Sequence, residues 1–128
     1  MKLLKLLLIL IPVVVLSACK TTQPIYNINN HPIVSNIESN EQIKNAIIDA
    51  VLYKTWTLKQ EKDNVLTFEL FIRSHHAVID ITYTKDSYSI EYVDSTNLKA
   101  KGNRIHRNYN NWIRYLSLEI DSRIRQLK

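Results

Sequence analysis

The sequence is short of most of what turns a chain into a recognisable enzyme or a covalently stapled domain. It holds one cysteine, Cys19, so no intramolecular disulfide can close in any redox compartment and the fold must stand on packing. It holds one glycine, Gly102, which excludes the glycine-rich loops that cradle phosphates and the Gly-x-Ser-x-Gly elbow that strains a nucleophile into place. Turn positions needing positive φ must then fall to Asn, Asp or Lys-Asp pairs. No apolar run reaches the ~20 residues that a bilayer-spanning helix requires. Internal repeats and low-complexity tracts are missing as well.

What is present is the balance of an ordinary folded domain. Apolar residues make up 45% of the 128 and charged residues 23%, proportions that suit a buried core. The net charge of +5 is too small to point to nucleic acid, but its distribution is uneven. Residues 96–128 carry eight Lys/Arg against Glu119 and Asp121, whereas residues 19–95 carry seven basic and ten acidic side chains. A basic C-terminal third therefore follows a mildly acidic body.

The N-terminus reads as an address. Lys2 and Lys5 precede an uninterrupted apolar run of eleven residues, 6–16, the length of a signal-peptide core. The run ends in Leu16-Ser17-Ala18-Cys19, which resembles the lipobox of bacterial lipoproteins: a branched residue, two small residues beside the scissile bond, then a thiol free to take a diacylglyceryl group. Cleavage of residues 1–18 from the 128 leaves 110, enough for one domain, with Cys19 as the new N-terminus and a net charge of +3 once Lys2 and Lys5 are gone. One acyl chain binds membranes marginally, at about 0.8 kcal/mol per CH₂, and two or three hold essentially permanently. By the same resemblance, Lys20 after the cysteine implies sorting to the outer membrane, facing the periplasm.

Residues 19–38 are Asn-rich and punctuated by Pro24 and Pro32, which predicts a lipidated N-terminus and tether. Ile25, Tyr26, Ile28, Ile33, Val34 and Ile37 are many large apolar groups for a solvated spacer, so docking of its second half as an edge segment is left open. Ser39 with Gln42 fits a capping box, and Ile43, Ala46, Ile47, Ala50 and Val51 recur on one face of a helix over 40–53. A short strand over 55–59 follows, with Trp56 and Leu58 alternating, and residues 61–64 turn the chain. Leu66, Phe68, Leu70 and Ile72, then Ile79, Ile81 and Tyr83, then Tyr88, Ile90 and Tyr92 alternate at period two. Short connections between these strands favour an antiparallel meander. Residues 94–107 predict a loop. Asn108 offers a cap for a long C-terminal helix whose apolar face is Trp112, Tyr115, Leu116, Ile120, Ile124 and Leu127. The whole is expected to be one α+β domain over 39–128: a four-stranded antiparallel meander with an N-terminal and a C-terminal helix packed on one face.

No catalytic constellation is recognisable, so the expectation is a non-enzyme with no cofactor and no metal site. His75 and His76 are adjacent, pointing to opposite faces if extended, and read as a solvated turn. Asp80 and Glu91 fall mid-strand on the polar faces and are expected to oppose each other across neighbouring strands as exposed carboxylates. His31 and His106 have no better company in sequence. The densest polar-aromatic cluster is 104–112, where Arg104, His106, Arg107, Tyr109 and Asn111 meet at a helix start. Helix-start amides attract anions and aromatic faces stack on sugars, so these five are the candidate binding residues, against the plainer reading in which Asn108 caps the helix and Trp112 packs in the core.

Several stretches together resemble a family of small lipoproteins of Gram-negative bacteria of unassigned function: the lipobox to Cys19, Pro24-Ile25-Tyr26-Asn27, the helix 43–47, Trp56, Val78-Ile79-Asp80-Ile81, Tyr88-Ser89-Ile90 and the closing run 105–113. The resemblance covers nearly all of the mature chain and brings no catalytic residue with it. It implies a lipid-anchored periplasmic protein that partners with the membrane through Cys19 and binds an envelope protein or glycan, or alternatively serves as an accessory subunit of an envelope assembly complex.

Overall fold

The computed structural model describes residues 21–128. The signal segment 1–18, Cys19 and Lys20 lie outside the described residues. The chain runs β1 (Thr22–Pro24), β2 (Ile28–Pro32), α1 (Asn40–Tyr53), β3 (Thr57–Lys62), β4 (Val65–Ile72), β5 (His75–Tyr83), β6 (Ser87–Thr96), β7 (Arg104–His106) and α2 (Arg107–Arg125). The fold is α+β with an antiparallel sheet in the order β2-β6-β5-β4-β3 and a separate two-stranded ribbon, β1-β7.

The expected meander is β3 to β6, joined by short turns. The sheet has five strands rather than four because Ile28–Pro32 pairs with the outer edge of β6, Ile28 opposite Ile90 and His31 opposite Tyr88. The segment expected to be a tether is thus part of the fold from Thr21 onward: β1 sits on β7 and β2 closes the sheet edge. The apolar residues noted there explain why, since Ile28 is buried and Ile25, Ile33 and Ile37 pack against the core.

The register places Leu66, Ile81, Ile90 and Ile28 in one row across the sheet, with Phe68, Ile79 and Tyr92 in the next. Both helices cover this face, contributing Ile43, Ala46, Ile47, Ala50 and Val51 from α1 and Tyr109, Ile113, Leu116, Ile120 and Ile124 from α2 to a single core. The α1 face is the one its spacing predicts, and Ser39 caps it by accepting from the Gln42 N–H at 3.3 Å. The α2 face is rotated from expectation. Tyr109 and Ile113 carry it, while Trp112 is half-buried and Tyr115 exposed, because packing rewards fit to the sheet rather than side-chain size.

Scarcity of glycine leaves its mark on the turns. Positive φ falls on Asn30, Asp63 and Asn97 as expected, but also on Thr55, Arg73 and Lys99. Asp63 and Arg73 open the two-residue hairpins β3-β4 and β4-β5, with the hand that matches strand twist. Arg73-Ser74 is therefore the turn, and His75 and His76 begin β5, contrary to the solvated turn expected for them. Thr55 ends α1 in a Schellman motif: its N–H donates to Leu52 O at 2.9 Å and the Trp56 N–H to Val51 O at 3.3 Å. This motif, not a strand, buries Trp56, so β3 starts at Thr57 rather than at residue 55.

Candidate functional site

The ribbon β1-β7 organises the region singled out in the sequence. Thr22 pairs with His106, Gln23 with Ile105 and Pro24 with Arg104, so part of the expected loop 94–107 is a strand and its first residues finish β6. Because β7 runs directly into α2, His106 rather than Asn108 is the cap, its Nδ1 accepting from the Asn108 N–H at 3.1 Å. Burial, then Lys99, Arg107 and His75, depress the His106 pKa below its ordinary value.

The five candidate binding residues separate. Arg104, Arg107 and Asn111 are exposed and His106 is half-buried, but Tyr109 is 0% exposed. Its ring meets Tyr92 edge to face at 5.5 Å, and its hydroxyl is buried with no hydrogen-bond partner. Tyr109 therefore belongs to the core and cannot stack on a ligand. The neighbour that sequence reasoning passed over is Asn110, which is buried. Its Oδ1 accepts from the Tyr26 N–H at 3.0 Å, and its Nδ2 donates to Pro24 O at 2.9 Å and Gln23 Oε1 at 3.2 Å. A helix position one step from an exposed Asn gives no local signal that it faces a distant segment.

The exposed part of this region is a basic end. Arg104 donates through Nη2 to Thr22 O at 2.7 Å and Lys99 Nζ reaches Thr21 Oγ1 at 3.4 Å. The β4-β5 tip joins it, since Asn97 Nδ2 donates to Ser74 Oγ at 2.7 Å and His75 Nδ1 meets Asn97 O at 2.7 Å. Arg73, Lys99, Lys101, Arg104 and Arg107 thus share one end of the molecule, and among the described residues none of them forms an ion pair.

A second polar cluster lies at the other end of α2. His31 Nε2 meets Asp121 Oδ2 at 3.0 Å, the Tyr88 hydroxyl donates to Asp121 Oδ1 at 2.9 Å, and Ser117 Oγ lies 2.7 Å from the same hydroxyl. With Pro32, Ile33, Val34, Ile124 and Arg125, His31 and Asp121 line a groove of about 330 Å³. Sequence offered His31 no company because Tyr88 and Asp121 lie 57 and 90 positions away. The arrangement fastens edge strand β2 to α2, and burial raises the Tyr88 pKa.

The uncovered face of the sheet carries the remaining candidates. Asp80 stands directly opposite Glu91, as expected, but only Glu91 is exposed: Asp80 is half-buried, because Thr67 of the neighbouring strand leans over it and donates a hydrogen bond through Oγ1 at 2.6 Å. Glu69 and Asp94 occupy the adjacent row around Val78. Phe71, 66% exposed, stacks on His76 at 4.2 Å, and His76 Nε2 lies 3.2 Å from Glu69 Oε2. Among the described residues no group of three or more His, Cys, Asp or Glu could hold a metal ion, and no helix is long and apolar enough to cross a membrane. No protein-family model, curated protein or solved structure matches this chain.

Proposed function

We propose that the chain is a non-enzymatic lipoprotein, anchored through Cys19 to the periplasmic face of the outer membrane, that docks an envelope protein on the uncovered face of its sheet. The lipobox and Lys20 support the address. The docking role rests on one observation: two helices cover one face of a five-stranded sheet and leave the other uncovered, with Asp80 opposite Glu91 and Phe71 exposed two rows further along the same face. Like charges directly opposite on a sheet destabilise it, and such departures from the most stable choice concentrate where a surface serves something other than the fold.

An accessory role in an assembly complex is favoured over glycan binding. Burial of Tyr109 takes the one tyrosine out of the candidate cluster that would have offered a sugar its ring, whereas β3 is an exposed edge strand whose backbone can accept a partner strand. Photo-cross-linkers placed at Phe71 and Val93 in living cells test the docking face. One discrete protein adduct is expected, weakened by Glu91→Lys although that change relieves the repulsion and leaves the fold at least as stable. The same adduct from a cross-linker at Lys128, or its persistence in Glu91→Lys, contradicts the assignment. Acyl mass on Cys19, lost in Cys19→Ser, tests the anchor separately.

A further inference from the structure

We infer that the basic end formed by Arg73, Lys99, Lys101, Arg104 and Arg107 is a membrane-docking surface for anionic lipid headgroups, holding the domain against the bilayer to which Cys19 is anchored. The inference rests on the lipid-anchor reading for its geometry. Two peptide links separate Cys19 from Thr21, so their α-carbons are at most ~7 Å apart in any conformation. Thr21 is already committed to the fold: its carbonyl accepts from the Arg107 N–H at 2.9 Å and its hydroxyl is reached by Lys99. Arg104 clasps the next residue, Thr22, through its carbonyl. The chain therefore leaves the fold in the middle of the basic cluster, with no spacer to carry the domain away.

Charge complementarity identifies the occupant. No Asp or Glu occurs between Ser95 and Leu118, nor between Lys20 and Ile37, so the two stretches that meet at the exit point carry positive charge alone, the nearest carboxylates in sequence being Asp94 of β6 and Glu119, three turns into α2. Lys20, next to Thr21 in the sequence, adds another positive charge. Acyl chains buried beneath the headgroups bring these side chains within about one Debye length, ~8 Å, of the lipid phosphates, where screening is weak. Each Lys or Arg so placed changes partitioning about fivefold. Burial is the main cause of the depressed pKa of His106, and the positive charges of Lys99 and Arg107 add to it. Arg125 and Lys128 close the far end of α2, whose 19 residues span ~28 Å, and they take no part.

The test separates docking from anchoring by removing the lipid. Residues 19–128 carrying Cys19→Ser are cosedimented with vesicles of phosphatidylethanolamine containing phosphatidylglycerol, and with vesicles of phosphatidylcholine alone. Binding only to the anionic vesicles is expected, falling about 25-fold in Lys101→Gln/Arg107→Gln. Neither side chain donates a hydrogen bond among the described residues, and an unchanged melting temperature confirms folding. The distal pair Arg125→Gln/Lys128→Gln is expected to bind like the parent. Equal binding to both vesicle types, or equal losses from the two pairs, overturns the docking surface whatever the state of Cys19. Absence of acyl mass on Cys19 in the intact lipoprotein overturns the anchor and the inference with it.

Discussion

The side-chain amide of Asn110 donates to the carbonyl of Pro24 at 2.9 Å, tying helix α2 to the segment that leads to Cys19. The same side chain accepts from the Tyr26 N–H. One buried residue thus satisfies backbone groups on both sides of Ile25 and turns a proline-broken stretch into a fixed part of the domain.

Asn110→Ala leaves two backbone groups without partners inside the fold. The expected cost is about 2–3 kcal/mol, from the desolvation of each, read as a lower denaturant midpoint. Amide exchange over 22–28 is expected to accelerate ahead of the sheet. Exchange there unchanged from the parent would mean that the ribbon and β2 hold the segment without Asn110.

Two buried tyrosines are expected to respond oppositely to loss of their hydroxyls. Tyr88 donates to Asp121 Oδ1 and lies 2.7 Å from Ser117 Oγ, so Tyr88→Phe should cost about 1–3 kcal/mol. The Tyr109 hydroxyl has no partner, and Tyr109→Phe should stabilise by roughly 1 kcal/mol because an unpaired polar group no longer has to be desolvated. Equilibrium unfolding of both variants reads the signs, and a destabilised Tyr109→Phe would reveal a partner for that hydroxyl.

Thr55 holds φ at 71° as the left-handed residue of the Schellman motif. A β-branched side chain is strained there, where glycine is at ease. Thr55→Gly is expected to gain up to about 1 kcal/mol, the relief of strain exceeding the added unfolded-state entropy. The melting temperature should rise by a few degrees, whereas a fall would mean that the bond from Thr55 Oγ1 to Lys54 O, at 2.6 Å, outweighs the strain.

His106 gives the fold an acid-sensitive cap. Its pKa is lower in the folded protein than its ordinary 6.5, so the unfolded chain takes up a proton first as pH falls. The stability it contributes is complete above that ordinary value and is lost as pH drops through the lowered one. Protonation of Nδ1 also removes the acceptor for the Asn108 N–H. His106→Asn keeps a good cap without the proton. Its stability relative to the parent should increase between about pH 7.5 and pH 5, and a pH-independent difference would show that His106 has the same pKa in the folded and the unfolded chain.

Legibility from sequence tracked the range of the interactions. The α1 face and the inward sets of β4, β5 and β6 follow from periodicity of neighbouring residues, and all were readable. Docking of an edge segment was left open by the apolar residues between 25 and 37, but its place beside β6 was not readable, because that partner lies some sixty positions on and the residues of β2 are mostly polar. Trp112 misled the phase of α2 by its size. Tyr109 looked like a surface aromatic among Asn and Arg, yet the ribbon and Tyr92 close over it. The basic character of the 96–111 region was plain, but its place beside the exit toward Cys19 depends on the pairing of Thr22 with His106, which nothing local announces.

The central claim is that the anchored domain lies with its basic end on the membrane, and position-specific quenching tests it most directly. With Cys19 acylated, a cysteine introduced at Lys101 or Asp63 is the only free thiol for a fluorophore. The β3-β4 tip at Asp63 is separated from the β4-β5 tip by the eight residues of β4, ~27 Å. In vesicles containing phosphatidylglycerol, a headgroup-attached quencher should quench the probe at Lys101→Cys and spare the one at Asp63→Cys, with the contrast fading in high salt. Equal quenching at the two positions would contradict the account.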